Sequence, residues 1–135
     1  MHDDTTRTTP IGLTRYAHDF FDSARAIEDQ LGKSTCFELV SPVPSLYLIG
    51  HSIELALKAY LQQHKVTLRD LRSKKYGHDL QACQIKAVEL GLAAIVSFHP
   101  AEKGAVELLN NLYSTKQLEY IVTGTKYIPT FGLVE

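Results

Sequence analysis

The chain has 135 residues, 44% hydrophobic and 21% charged, with 14 Lys and Arg against 15 Asp and Glu for a formal net charge of −1. That length and balance fit one domain able to bury its own core. They exclude a disordered chain, a collagenous fibre, a coiled-coil rod and a uniformly basic nucleic-acid coat. No apolar run approaches the ~18 residues of a membrane span.

The stretch Met1–Pro10 is polar and lacks the basic start and apolar core of a signal peptide. Residues 1–11 are expected to form a flexible arm and residues 12–135 a single helical domain. The two cysteines, Cys36 and Cys83, lie in different segments and make neither a CxxC pair nor a zinc set. Reduced thiols in a cytoplasmic protein are the expectation.

A first helix is predicted from Thr14, read as its N-cap, to Leu31. Tyr16, Phe20, Phe21, Ala24, Ile27 and Leu31 recur at helical spacing, and Gly32 stands at the stop. Residues 33–43, with Pro42, form a connector. The second helix opens at Pro44 and Ser45 and fills Leu46–His64. Leu46, Ile49, Ile53, Leu57 and Tyr60 make its apolar stripe, widened by Leu48, Ala56 and Leu61. Gly50 is its one weak helix former. Thr67, three residues before Asp70, signals a short capped turn. Asp79 is placed to cap a third helix, Leu80–Leu90, with Leu80, Cys83, Ala87 and Leu90 inward and Gly91 ending it. The run 92–98 has no clear period. Pro100 suits the first turn of a fourth helix with Ala105, Leu108, Leu109 and Leu112 buried. Gly104, inside that pattern, marks close packing or a weak first turn. The sum is an all-α fold: an antiparallel four-helix up-and-down bundle with short extra helical turns.

Three groupings carry chemistry. On the second helix His51, Glu54, Lys58 and Gln62 follow at steps of three, four and four, so they share a face. That face is either the helix's outer surface or one wall of a polar groove holding an acid, a base and an imidazole. The second grouping is basic. Lys65, Arg69, Arg72, Lys74 and Lys75 against Asp70 give residues 65–75 a charge of +4 and leave −5 for the rest. It reads as a solvated loop or as a phosphate-backbone contact, with Tyr76 beside it to stack on a base. The third is Gly77-His78-Asp79-Leu80, with Arg72 six positions before His78. His78 and Asp79 can serve as helix-start residues. An Arg and a His can also cleave RNA without metal, the Arg neutralising phosphate oxygens while the His moves protons as the 2′-hydroxyl attacks. His2, His18, His64 and His99 fit no metal-ligand spacing. There is no nucleophile elbow, Walker loop or GxGxxG, so no metal or cofactor is expected.

The segment YLIGHSIELALKAYL followed by YGHDL resembles the HEPN superfamily of small helical domains. Its members commonly carry a Glu and a Lys four residues apart on a helix, then a loop, then His-Asp-Leu opening another helix. Here these are Glu54, Lys58, His78, Asp79 and Leu80, with His51 on the same helix. The likeness covers residues 46–90, about a third of the chain. It implies a four-helix bundle, often a homodimer, that binds nucleotide or RNA or acts as a metal-independent endoribonuclease in toxin–antitoxin and defence systems. A nucleotidyltransferase-like protein is a candidate partner. Active members carry their Arg and His near the last core helix, whereas Ala101–Val122 here contains neither. The leading expectation is therefore a binding module without nuclease activity. The alternatives are an endoribonuclease using Arg72 and His78 at a displaced site, and a non-catalytic protein-interaction partner. Tyr113, Lys116 and Tyr120 occupy the late region and are expected to line a polar cleft.

Overall fold

The computed structural model describes residues 7–31, 43–96 and 100–115, and among them the chain is all-α with no strand. The helices are α1 (Pro10–Leu31), α2 (Val43–Gln63), α3 (Leu68–Leu71), α4 (Leu80–Glu89) and α5 (Pro100–Tyr113), with a 3₁₀ turn at Leu92–Ala94.

Helix α1 starts four residues before the expected Thr14. Pro10 supplies a preset φ at the first helical position, where its missing N–H costs nothing. The Thr9 hydroxyl accepts from the Gly12 N–H at 3.1 Å, and the Thr9 carbonyl accepts from Leu13. Thr9 is thus the N-cap, and Thr14 is an interior residue whose hydroxyl donates back to the Pro10 carbonyl. The expected arm boundary at residue 11 falls inside the helix. Thr8 is also tied down, its carbonyl accepting from the Gln62 side chain at 2.8 Å. Residues 1–6 lie outside the described part.

Helices α1 and α2 run antiparallel. Three bonds, Gln62 to the Thr8 carbonyl, Ser52 to the Ala17 carbonyl at 2.7 Å and Ser45 to Glu28 at 3.3 Å, climb one helix while descending the other. The seam is closer than the aromatic stripe implied. Among the described residues of α1, Ala17 and Ala24 are the buried ones, small enough to let the two backbones approach, while Tyr16 is exposed and Phe20 and Phe21 are half-buried.

The core has two clusters. One joins Ala24, Leu46 and Ile49 to Leu80 of α4 and to Leu109, Leu112 and Tyr113 of α5. The other packs Leu61 and Leu71 against Tyr76, Cys83, Ala87 and Leu92. Truncating a fully buried leucine such as Leu46 or Leu109 to alanine costs about 2–5 kcal/mol. Burial pushes the Cys83 thiol up to about 11. Cys36 lies outside the described residues.

On α2 the expected stripe is buried at Leu46, Ile49 and Leu61 and displaced elsewhere. Leu55 and Ala59 are buried, Ile53, Leu57 and Tyr60 only half-buried, and Ala56 is exposed. The helix is gripped from several sides, since α1, α4 and α5 all pack on it. Its polar residues therefore do not form an outer face. Helix α2 ends in a left-handed turn at Lys65 (φ 74°), with the Val66 N–H bonded to the Leu61 carbonyl and the Lys65 N–H to that of Gln62. The capped turn at Thr67 and the Asp79 cap form as expected, Thr67 accepting from the Asp70 N–H and Asp79 from Ala82. Gly91 ends α4 in the left-handed region at φ 105°. Of the run 92–98, residues 92–96 are described; there Leu92–Ala94 form the 3₁₀ turn, and Ile95 and Val96 are exposed. Gly104 faces open space, so close packing does not explain it. Whether α5 continues through Leu118, Tyr120 and Ile121, a point the sequence leaves open, falls outside the described residues.

Candidate functional site around a buried carboxylate

Glu54 sits on α2 facing inward, only 4% exposed. A lone carboxylate at such a position would cost several kcal/mol. Three donors from three parts of the chain offset that cost. His78 Nδ1 lies 2.8 Å from Oε1, the Tyr113 hydroxyl donates to the same oxygen at 2.7 Å, and Lys58 Nζ donates to Oε2 at 3.0 Å. Burial pushes the Glu54 carboxyl up, but the Lys58 charge and the bonds from His78, Tyr113 and Lys58 outweigh it and hold the group below its ordinary 4.5.

An ionised carboxylate is an acceptor only, and this fixes the protons around it. His78 must carry its hydrogen on Nδ1. The Tyr113 proton is committed to Glu54, so His51 Nδ1, 3.0 Å from the Tyr113 oxygen, is the donor in that contact. Both imidazoles are thereby set as Nδ1–H. For His78 the second nitrogen, Nε2, has no hydrogen-bond partner among the described residues.

Lys58 also donates to the Gly77 carbonyl. The Glu54–Lys58 pair thus clamps the turn between α3 and α4 and sets the position of His78. Gly77 adopts φ 40°, which suits a residue without a Cβ. Gly50 lets Tyr113 in: a Cβ there would lie 2.6 Å from the tyrosine ring.

These groups open on a cavity of about 540 Å³ walled by α1, α2, α3 and the α3–α4 connector. Its polar residues include His51, Glu54, Lys58, Arg72 and His78, and its apolar wall includes Leu13, Tyr16, Phe20, Leu55, Leu68 and Leu71. Arg72 and His78, proposed from sequence as a pair, line one cavity within a single chain. His51, Glu54 and Lys58 join them.

Other expected site residues go elsewhere. Tyr76 is 4% exposed and packed in the second core cluster, so its ring cannot stack on a base; Lys75 lies over it at 5.4 Å. Asp79 is occupied as a cap and as acceptor from Asn110 at 2.9 Å. Lys65, Arg69, Lys74 and Lys75 are exposed and do not line the cavity. Lys116 and Tyr120 lie outside the described residues.

Sequence reasoning missed Asn110. It is buried, accepts from the Leu80 N–H at 2.8 Å and donates to Asp79, so it satisfies the start of α4. A polar residue three before Tyr113 on an otherwise apolar helix face was the available signal.

Among the described residues no group of three or more His, Cys, Asp or Glu is placed to hold a metal ion, and no helix is long and apolar enough to cross a membrane. No protein-family model matches the chain, and neither a curated protein nor a solved structure shows significant similarity to it.

Proposed function

We propose that the chain is a HEPN-like up-and-down helical bundle that binds a nucleotide, free or within RNA, in the cavity beside Glu54. One observation carries this reading: His78, fixed through Nδ1 on a buried carboxylate, shares an open cavity with Arg72. A guanidinium and an imidazole edge suit a phosphate, and the apolar wall suits a base. Lys58 supports the site as the clamp of the His78 turn. On this reading the module is cytoplasmic and acts as a homodimer in a toxin–antitoxin or defence setting. A nucleotidyltransferase-like protein is a candidate partner, and partner binding alone is the remaining alternative.

The test is calorimetric titration with 5′-AMP and with a short single-stranded RNA. Wild type binds at least one of them, and Arg72→Gln weakens that binding about tenfold or more, the scale of one charge-assisted hydrogen bond. Folded wild type that binds neither at millimolar concentration refutes the reading.

A second reading is a metal-independent endoribonuclease, favoured by the Nε2 of His78, which holds the basic lone pair of a neutral imidazole whose hydrogen is on Nδ1. There Nε2 takes the 2′-hydroxyl proton and Arg72 stabilises the non-bridging oxygens. The 2′-oxygen attacks phosphorus and the bond to the 5′-oxygen breaks, leaving a 2′,3′-cyclic phosphate and, after protonation by water, a 5′-hydroxyl. Purified protein should then cut single-stranded RNA in EDTA, and His78→Ala should abolish the cut. Binding without cutting leaves the first reading alone.

A further inference from the structure

We propose that Tyr16 is the base-stacking residue of this cavity, receiving on its ring a nucleobase whose phosphate lies toward Arg72 and His78. The inference rests on the nucleotide-binding reading of the same site and adds which residue reads the base.

Leu13, Tyr16 and Phe20 follow at steps of three and four along α1 and form its contribution to the cavity wall. Two of them are half-buried, yet Tyr16 is 63% exposed. Neither a hydrogen bond to its hydroxyl nor a ring against its face exists among the described residues. Phe20 differs, because its ring meets His51 edge-on at 4.5 Å. A large aromatic left bare where it borders a concave site offers a π-face at little further desolvation cost, and every base has a face to set against it. The rest of the wall leaves the partner's chemistry narrow. Leu68 and Leu71 present no hydrogen-bonding groups to a base edge, whereas Arg72 follows directly on α3 and suits an anion. A ligand with a flat apolar part joined to a phosphate matches both ends. Tyr76, the aromatic beside the basic run, is buried and cannot do this.

The experiment compares 5′-AMP with ribose 5-phosphate, which keeps the phosphate and sugar but lacks the base, on wild type, Tyr16→Ala and Tyr16→Phe. Stacking is worth ~1–3 kcal/mol per base, so wild type should hold AMP roughly 5- to 150-fold tighter than ribose 5-phosphate. Tyr16→Ala should erase that ratio without altering ribose 5-phosphate binding, and Tyr16→Phe should keep it. Equal wild-type affinity for the two compounds overturns the stacking role while leaving the phosphate site standing. A ratio that survives in Tyr16→Ala places the base elsewhere and overturns the assignment. Binding of neither compound overturns this proposal together with the reading beneath it.

Discussion

Gly50→Ala isolates the contact that holds the site together. Alanine is the better helix former by about 1 kcal/mol, so an unopposed substitution in the interior of α2 stabilises. Here the new Cβ would lie 2.6 Å from Tyr113 Cδ1, 3.0 Å from Cε1 and 3.1 Å from Cγ. Ordinary carbon contacts sit near ~3.5–4.0 Å, so the ring must retreat by about 1 Å. It has little room to do so. Tyr113 is 4% exposed in the first core cluster, and its hydroxyl is bonded to Glu54 at 2.7 Å. Overpacking of this kind costs about 1–3 kcal/mol, and loss of a hydrogen bond to an ionised carboxylate about 1.5–3 kcal/mol. Subtracting the helix-propensity gain leaves a net destabilisation of roughly 1.5–5 kcal/mol. Urea unfolding followed by circular dichroism should show the midpoint fall at unchanged slope. In a Tyr113→Leu background the same Gly50→Ala change should lose most of its penalty, because the obstructing ring is gone. A Gly50→Ala protein as stable as wild type, or the same penalty in both backgrounds, would refute the reasoning.

Two further outcomes follow from the same structure. The Glu54 carboxyl is held below 4.5 in the folded state, so its contribution to stability is fully present above the unfolded value and is lost as pH falls through the lowered folded one. Glu54→Gln should be less stable than wild type at pH 7 by about 3–5 kcal/mol, the cost of breaking a buried pair, and that gap should shrink below pH 4.5 in acid-titrated urea midpoints; a pH-independent gap would contradict the assignment. Lys65→Gly should raise stability by about 1 kcal/mol, because Lys65 occupies the left-handed position of the α2 C-terminal motif at φ 74°; an unchanged or lower urea midpoint would speak against relief of backbone strain there.

Much of the fold was legible because capping and periodicity are local. Thr67, Asp79, Gly91 and Pro100 act where the sequence places them. Helix α1 was misjudged at its start, since apolar periodicity begins after the Thr9-Pro10 signal that initiates it. The site was half legible. Spacing put His51, Glu54 and Lys58 on one face, and the resemblance put His78 with them, but whether that face was inside or outside depended on what packs against α2. No periodicity in α2 encodes the approach of Tyr113 from 59 residues away, or the tether from Thr8. The Tyr76 expectation failed for the same reason. A tyrosine beside a basic run looks exposed until the α3–α4 connector folds back over Cys83 and Ala87.

Glu54 serves two purposes that point the same way. Its three donors come from α2 itself, from the α3–α4 connector and from the end of α5, so the carboxylate is a joint between elements as well as the group that orients His78. Removing it unpins Lys58 from one partner and frees the turn at Gly77, so any loss of binding in a Glu54 variant will come mixed with loss of fold. One residue able to separate the two roles lines the cavity without belonging to the joint: Tyr16, exposed on α1. The charge distribution then takes on a different meaning from the one the basic run suggested. Of its five cations, only Arg72 lines the cavity, while the other four stand exposed outside it. Ligand affinity drawn from the cavity should therefore depend weakly on salt, close to the effect of a single phosphate contact. A steep salt dependence, approaching one counterion for each of the five, would place the proposed nucleotide contact on the exposed run and not in the cavity.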